Sequence, residues 1–212
     1  MQMLRYIPVL LSVALLFSCE ESSKKEGNGN DDITNPEGAP VLTCADFTDD
    51  IKLEDEPGRE VDYIIDCLVD IDDIEIEIID GAVIEFTEGS GFIFREGSRI
   101  NFYALPGVVP PVILRGNKSE PGYWKGIHVA SDQGSNLMTG VEIHDAGSKT
   151  DPMFYGAVTI SGGVSLGSSL ITNSANYGVY FEDEIGVWQT FANVEIKNCE
   201  SYPVRIGFQN VG

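Results

Sequence analysis

Histidine, the side chain most often used as a general base, is rare in this chain of 212 residues. The chain has two histidines, His128 and His144, and the second is followed directly by Asp145. A histidine beside a carboxylate is a candidate general base. Each histidine also neighbours apolar residues in a pattern that predicts strand positions facing solvent, and adjacent strand residues face opposite sides. His144 and Asp145 therefore pair only if the chain turns between them.

Three basic residues, Arg99, Arg115 and Lys125, are candidates for a patch that removes a proton from a sugar acid. Such chemistry also needs clustered carboxylates, and the strand-forming part of the chain has one adjacent aspartate pair, Asp72–Asp73. No Gly-His-Gly, Cys-x-x-Cys or His-Glu-x-x-His sequence occurs, so the signatures of redox and zinc enzymes are missing. These residues give little support for catalysis.

Tyr123, Trp124 and Trp188 are the candidate glycan contacts. They lie close after Gly122 and Gly186, and glycines between apolar runs predict loops. The flat faces of exposed aromatic rings stack on sugars, while neighbouring polar groups fix the orientation of the ligand. The alternative for Trp124 is that its ring folds down over the strands and seals the loop.

Acidic residues are concentrated in the first part of the chain. The formal net charge is −21, and 15 acidic residues stand against two basic ones between Cys44 and Asp80. Nucleic acid is disfavoured as a partner, because phosphate binding needs a basic face. The carboxylates are either a solvated surface that keeps the protein soluble or ligands for calcium. No other cofactor is indicated.

The cysteines have separate predicted roles. Cys44 and Cys67 stand 23 positions apart, and a disulfide between them would stabilise the fold by about 3 kcal/mol in the chain-entropy model. Cys199 occupies a position where a small inward-facing residue is expected, which favours a buried thiol over a nucleophile. The fourth cysteine, Cys19, ends an apolar run near the N-terminus.

The first 18 residues resemble the signal peptide of a bacterial lipoprotein. The apolar run that ends at Phe17 is too short to span a bilayer but suits a secretion signal, and Leu16–Cys19 is similar to the lipobox. The resemblance implies cleavage before Cys19, acylation of that cysteine as a membrane anchor, and a flexible tether over 19–43. The acidic pair Glu20–Glu21 looks like the surface-export signal of Bacteroidetes lipoproteins. The implied location is the outer membrane, on the cell surface or the periplasmic face.

An internal repeat sets the predicted fold. Leu170–Tyr180 matches Glu195–Arg205 at a constant offset of 25 residues, with isoleucine, asparagine and tyrosine in corresponding places. Repeats of this length indicate a solenoid. The units alternate apolar with polar residues, as in Ile74–Ile78, and predict short strands. Three strands per coil of about 22–25 residues describe an all-β, right-handed parallel β-helix. An antiparallel sandwich also has many short strands, but it gives no reason for the repeat.

Four motifs occur in the order known from right-handed β-helix lipoproteins of Bacteroidetes. They are Ile79–Phe86, Arg95–Ile100, Pro111–Gly116 and Gly122–Ile127. The chain resembles this family, which has a pectin-lyase-like architecture and mostly lacks an assigned activity. We expect an acidic cap at 44–60 and a β-helix over 61–212. The C-terminal end reads as an unfinished coil, which predicts a truncated product or an end covered by another chain.

We expect a membrane-tethered binding or scaffold module that presents a rigid face to a glycan or a surface protein and performs no catalysis. The alternative is a polysaccharide lyase or glycoside hydrolase of the β-helix type, with Arg115 or Lys125 as the base. Fold alone does not choose between the two, because one architecture hosts many functions.

Overall fold

Short parallel strands form three sheets that wind around one core. The computed structural model describes residues 38–182 and 187–206, with the backbone alone at 17–18 and 187–189. Strands are numbered in chain order, and the sheets are called 1, 2 and 3. The helical elements of the described residues are two short 3-10 helices, Cys44–Asp46 and Pro152–Phe154.

The strands divide among the sheets in a regular way. Sheet 1 holds β1 (Phe17–Ser18), β2 (Val41–Leu42), β4 (Tyr63–Ile65), β7 (Val83–Phe86), β10 (Val112–Gly116), β13 (Val141–His144), β16 (Leu170–Thr172) and β19 (Glu195–Lys197). Sheet 2 holds β5 (Leu68–Ile71), β8 (Gly91–Phe94), β11 (Gly126–Val129), β14 (Gly156–Ile160), β17 (Tyr177–Phe181) and β20 (Val204–Arg205). Sheet 3 holds β3 (Ile51–Leu53), β6 (Glu75–Ile79), β9 (Arg99–Tyr103), β12 (Leu137–Thr139), β15 (Gly163–Gly167) and β18 (Val187–Ala192).

The chain visits sheets 1, 2 and 3 in turn, so a full coil adds one strand to each sheet. Strands β7, β8 and β9 form one coil, for example, and β10, β11 and β12 pair with them in the next. About six turns stack into a parallel β-solenoid, with neighbouring strands about 4.8 Å apart. The predicted β-helix is confirmed. An antiparallel sandwich is excluded, because the described strand pairs are all parallel.

The core is a stack of apolar side chains that recur from coil to coil. The register of sheet 1 brings five of them into one inward column of fully buried residues. These are Ile84, Leu114, Ile143, Ile171 and Ile196. Burial of a side chain of this size contributes about 1.5–3 kcal/mol. Successive residues of this column lie 30, 29, 28 and 25 positions apart in the chain, so the 25-residue repeat is the length of the last coil, from Ile171 to Ile196, and the earlier coils are longer than the predicted 22–25 residues.

Asparagine and aspartate occupy the corner that follows sheet 1. Asp145, Asn173 and Asn198 stand in equivalent places with φ angles of 66°, 58° and 53°. This left-handed backbone costs most residues about 1–2 kcal/mol, but Asn and Asp adopt it readily. The Asn173 amide donates to Asp145 (2.5 Å), whereas Asn198 donates to the Thr172 hydroxyl (3.3 Å). The matched asparagines do stack. Their repetition is explained by the left-handed backbone that the corner requires, because the hydrogen bonds of their side chains go to Asp145 and Thr172 and not to each other.

The acidic segment 44–60 belongs to the solenoid and is not a separate cap. Strand β2 pairs with β4 and β3 pairs with β6, so the first coil begins at Val41. The 3-10 helix Cys44–Asp46 stands where this coil would have its sheet 2 strand. Phe47, which follows it, is buried edge-on against Phe92 with ring centroids 6.0 Å apart. The expected boundary is too late, because strands of two and three residues leave no alternating pattern.

The disulfide predicted between Cys44 and Cys67 forms, with their Cα atoms 5.9 Å apart. It ties the 3-10 helix of the first coil to the start of β5. The Cys199 side chain is buried, as expected, and its thiol donates to the Lys197 carbonyl (3.8 Å). Cys19 lies outside the described residues. Within the described part of the chain, no helix has the length and apolar character needed to span a membrane.

Candidate functional site

The outer face of sheet 2 carries aromatic side chains near its last strands. Side chains alternate across a sheet, so Val179 and Phe181 are buried in the core while Tyr180 points outwards. In the neighbouring strands, Thr159 and Arg205 hold the positions on either side of Tyr180. The outward column of sheet 2 therefore ends in a tyrosine and an arginine.

Three half-buried tyrosine rings touch one another on this face. Tyr180 contacts Tyr155 and Tyr177, with ring centroids 5.5 Å away in both cases. The guanidinium of Arg205 lies 5.0 Å over the Tyr180 ring, and its Nη1 donates to the Tyr180 hydroxyl at 2.8 Å. A cation over an aromatic face is attracted by the negative face of the ring. Arg205 therefore holds Tyr180 in place, and Tyr180 supports its two neighbours.

Tyr202 stands beside these rings, one coil further along. The 25-residue repeat aligns it with Tyr177, and its carbonyl accepts from the amide of Gly178 at 3.4 Å. Tyr202 is 71% exposed, so its ring is available to a ligand. We define the aromatic face as Tyr155, Tyr177, Tyr180, Tyr202 and Arg205.

A folded loop between β13 and β14 positions Tyr155. We call residues 148–155 the flap. It contains the 3-10 helix Pro152–Phe154, which packs on β11 and β14, and the Phe154 ring is buried. The carbonyl of Tyr155 accepts from the amide of Tyr177 at 3.0 Å. This hydrogen bond joins the flap directly to the aromatic face.

Asp151 secures the start of the flap helix. One of its carboxylate oxygens accepts from the Met153 amide at 3.2 Å, and the other accepts from the ammonium of Lys125 at 3.0 Å. A capping acceptor of this kind stabilises a helical turn by about 1 kcal/mol. The Ser148 amide also donates to the Phe154 carbonyl at 2.6 Å. The flap is thus closed on itself and pinned to the solenoid.

His128 lies beneath the flap and not in solvent. Its strand position faces outwards, as predicted, but the residue is only 7% exposed because the edge of Phe154 covers it, with ring centroids 6.2 Å apart. Its Nε2 lies 2.9 Å from the Ser161 hydroxyl oxygen. Burial, together with the charge of Arg95, lowers the pKa of His128, and the charge of Asp151 opposes them. The expectation of an exposed histidine is wrong at this position.

A serine beside a histidine also suggests a nucleophile and its base, but Ser161 lacks the other parts of such a site. The amides of Gly162 and Gly163 donate to backbone carbonyls at 2.8 Å, so neither is left to hold an oxyanion. The segment Gly163–Gly167 also reads Gly-x-Ser-x-Gly, the pattern of a nucleophile elbow. It forms strand β15 and not the strand-to-helix turn that exposes such a serine.

Known proteins do not identify the aromatic face. Comparison with protein-family models, curated proteins and solved structures finds no match for this chain. The chemistry of the face must therefore be judged from its own side chains. Tyrosine rings offer a large rigid contact area, and their hydroxyls satisfy polar groups at the edge of a ligand. Such rings fit a sugar, which has flat apolar faces and a rim of hydroxyls.

Trp124 is no part of an exposed surface. It is fully buried and stacks on Phe86, with ring centroids 4.0 Å apart and planes 10° from parallel. Its indole N–H donates to the His144 carbonyl at 2.6 Å. The ring therefore seals its loop onto the core, and its assignment as a glycan contact is wrong. A tryptophan whose N–H finds a buried acceptor is stable inside a core.

The other two predicted contacts differ in their surroundings. Tyr123 is half-buried, and the ammonium of Lys118 lies 5.5 Å from the centre of its ring. Tyr123 and Lys118, together with Glu88 and Glu120, line a cavity of about 160 Å³. This volume is smaller than the roughly 300–1,000 Å³ of usual small-molecule sites. Trp188 belongs by its backbone to β18 and not to a loop, and its side chain lies outside the described residues.

The basic residues considered for lyase chemistry lie on separate parts of the solenoid. Arg99 is in sheet 3, Arg115 in sheet 1, and Lys125 precedes a strand of sheet 2. Each forms an ion pair, and these are Arg99–Glu75 at 2.9 Å, Arg115–Glu85 at 2.9 Å and Lys125–Asp151 at 3.0 Å. The candidate basic patch does not form, because the three residues lie apart and each is engaged by a carboxylate.

His144 is oriented by Glu142 and not by Asp145. Its Nε2 lies 3.1 Å from a Glu142 carboxylate oxygen on the outer face of sheet 1. Asp145 turns away at the corner, where burial raises its pKa and the hydrogen bond from Asn173 works in the opposite direction. Among the residues that the structure describes, no three His, Cys, Asp or Glu side chains are grouped closely enough to hold a metal ion.

Proposed function

We propose that this chain is an envelope-anchored lipoprotein whose β-helix binds a neutral glycan on its aromatic face. The observation that carries the proposal is the contact of the Tyr155 and Tyr177 rings with Tyr180, which Arg205 fixes, with the exposed Tyr202 one coil further along. Rings that are already held in place lose little side-chain freedom on binding, which favours affinity. Such a face binds by contact and needs no catalytic group.

The charge of the protein supports a neutral ligand. The chain carries a formal net charge of −21, and like charges on a protein and a polymer repel each other. Glu182 and Glu200 each stand two residues from a tyrosine of the face. The cation of the face, Arg205, is engaged with the Tyr180 ring and hydroxyl. A polymer of uronic acids would therefore meet more repulsion than attraction here.

Binding of oligosaccharides to the full chain tests the proposal. We expect at least one of cellohexaose, xylohexaose and chitohexaose to bind, as measured by isothermal titration calorimetry, and polygalacturonate not to bind. Tyr202→Ala should weaken that binding about tenfold, which corresponds to about 1.4 kcal/mol. Its ring is 71% exposed, so its removal should leave the fold intact. Tyr202→Phe should retain most of the affinity, because it keeps the stacking surface.

Tyr123→Ala is the matched control, since it removes a surface tyrosine from outside the aromatic face. An equal loss of affinity in Tyr123→Ala and Tyr202→Ala would place the ligand elsewhere. Failure of all three neutral oligosaccharides would refute glycan binding of this type. Release of shorter products during the titration would favour polysaccharide cleavage, the alternative function, over binding alone.

The lipid anchor has a separate test in a bacterial envelope preparation. Cys19→Ser should move the protein from the membrane fraction to the soluble fraction, because each buried CH₂ of an acyl chain contributes about 0.8 kcal/mol of membrane affinity. Cys199→Ser is the control, since it removes a buried thiol that is no candidate for acylation and should leave the protein in the membrane. Membrane retention of Cys19→Ser, or no uptake of labelled palmitate by the unaltered chain, would contradict the anchor.

A further inference from the structure

We propose that protonation of His128 releases the flap and thereby weakens the aromatic face in acid. The inference concerns the regulation of the glycan site, so its binding arm rests on the proposed function. The movement of the flap itself does not depend on any ligand. Three features of the described residues carry it: the hydrogen bonding of His128, the charges that face it, and the chain of contacts from its ring to Tyr155.

His128 is suited only to the neutral state while the flap is closed. Its Nε2 is satisfied by the Ser161 hydroxyl at 2.9 Å, but its Nδ1 is buried without a partner. The tautomer with the proton on Nε2 leaves a bare lone pair on Nδ1, and no buried N–H is unpaired. Protonation would add an N–H at Nδ1 with no acceptor. A buried donor without a partner, on a group that has also gained a charge, is strongly unfavourable.

The charges around His128 do not replace the missing acceptor. From the strand side, the charge of Arg95 repels a protonated imidazole. The Arg95 guanidinium itself donates hydrogen bonds of 2.7 and 2.8 Å to the Asp70 carboxylate. From the flap, Asp151 attracts it, but that carboxylate is engaged by Lys125 at 3.0 Å. The strand neighbours at the same outward position, Ile93 and Thr159, carry no charge. Burial is the dominant influence, and it lowers the pKa of His128.

The His128 ring is linked by contact to the aromatic face. Phe154 covers the imidazole edge-on at 6.2 Å and is itself 1% exposed. The next residue, Tyr155, packs on Tyr180 at 5.5 Å and accepts the Tyr177 amide at 3.0 Å. Full solvation of a protonated His128 requires that Phe154 move away, because this ring covers the imidazole and leaves it only 7% exposed. Because Phe154 and Tyr155 are adjacent in the chain, that movement also removes one ring from the face.

The direction of the pH effect follows from linkage. The closed flap lowers the pKa of His128, so the closed state binds fewer protons than the open state, in which the imidazole is solvated. The closed state is fully favoured above the ordinary histidine pKa of about 6.5. Its advantage is lost as the pH falls below that value towards the lower pKa of the closed state. Each pKa unit between the two states changes the closed-to-open ratio about tenfold.

Amide hydrogen exchange of the full chain tests the opening of the flap. The probes are the amides of Ser148, Phe154 and Tyr177, each of which makes a hydrogen bond within the flap or to it. After correction for the chemical exchange rate, their protection should fall about tenfold or more between pH 7.5 and pH 5.0. His128→Gln should abolish this change, because its amide still reaches Ser161 and does not titrate.

His144→Gln is the matched control, since the chain has only these two histidines. It should show the same loss of protection as the unaltered chain. Acidic groups whose pKa is raised, such as Glu182, are present in both variants. Their titration therefore cannot cause a difference in protection between the two variants. If His128→Gln and the unaltered chain lose protection equally, the inference is overturned. Should His128→Gln not fold, an NMR titration of the unaltered chain decides: a pKa of His128 at or above the ordinary histidine value of about 6.5 overturns the inference.

The binding arm uses whichever of the neutral hexasaccharides binds at pH 7.5. Its affinity should fall at pH 5.0 in step with the population of the open flap, and should stay constant in His128→Gln. An affinity that falls equally in both proteins would contradict the link to the face. If the flap opens in acid while no oligosaccharide binds at either pH, the flap movement stands and the proposed glycan function fails.

Discussion

Replacement of Trp124 by alanine should lower the free energy of unfolding by about 3–5 kcal/mol, the range for removal of a large buried aromatic side chain. The ring is fully buried and stacked on Phe86, so its loss leaves a cavity against a rigid neighbour. The hydrogen bond from its indole to the His144 carbonyl is lost as well. Urea unfolding of the full chain, followed by circular dichroism, measures the change.

Two further variants separate the causes of that loss. Trp124→Phe keeps an aromatic ring against Phe86 but removes the indole N–H, so it should lose less stability than alanine. Tyr123→Ala alters the adjacent, half-buried residue of the same loop and should cost about 1 kcal/mol or less. Equal stabilities for the alanine variants at 123 and 124 would show that the loop is not anchored through tryptophan. A loss of glycan affinity in Trp124→Ala at full stability would restore it as a contact residue.

Much of the solenoid could be predicted because each coil repeats a local pattern. The run Ile74–Ile78 alternates apolar with acidic residues, Ala82–Phe86 is rich in apolar residues, and the observed strands β6 and β7 begin and end within one residue of these runs. Six strands from Val41 onwards, among the described residues, were not predicted. Strands β2, β3 and β12 have only two or three residues, and β5 lies within the strongly acidic run between Cys44 and Asp80. Strand β15 has glycine at both ends, and β18 stands where a loop around Trp188 was expected. Pairing with neighbouring coils makes these strands, and the local sequence does not display that pairing.

The aromatic face could be predicted only in part. The repeat aligns Tyr177 with Tyr202, and this was the one signal that these two tyrosines stand together. Tyr155 joins them through the flap, whose 3-10 helix packs on strands β11 and β14 of sheet 2. The local sequence does not reveal this packing. The same packing buries His128, whose outward strand position was predicted correctly. Long loops of a solenoid therefore decide which outward residues remain exposed, and loop contacts are the least local part of the fold.

The closeness of neighbouring coils leads to the second large effect, which we expect for Gly126→Ala. A Cβ at this position would lie 2.5 Å from the carbonyl oxygen of Ala157 in the next coil, and the glycine has a φ of +99°. Backbone strain and overpacking each cost about 1–3 kcal/mol, so a loss of about 2–6 kcal/mol in the free energy of unfolding is expected. The Ala157 backbone cannot retreat freely, because β14 pairs with β11 on this side and with β17 on the other.

Gly107→Ala separates strain from steric contact in this prediction. Gly107 also has a positive φ, +75°, but a Cβ there would have no atom within 4 Å. Its replacement should therefore cost only the left-handed penalty of about 1–2 kcal/mol. The difference between the two variants in urea unfolding then measures the contact between coils alone. Equal losses would mean that coil spacing relaxes around an added methyl group. A solenoid that relaxes in this way could not hold Tyr155, Tyr177 and Tyr180 in the fixed arrangement on which glycan binding depends.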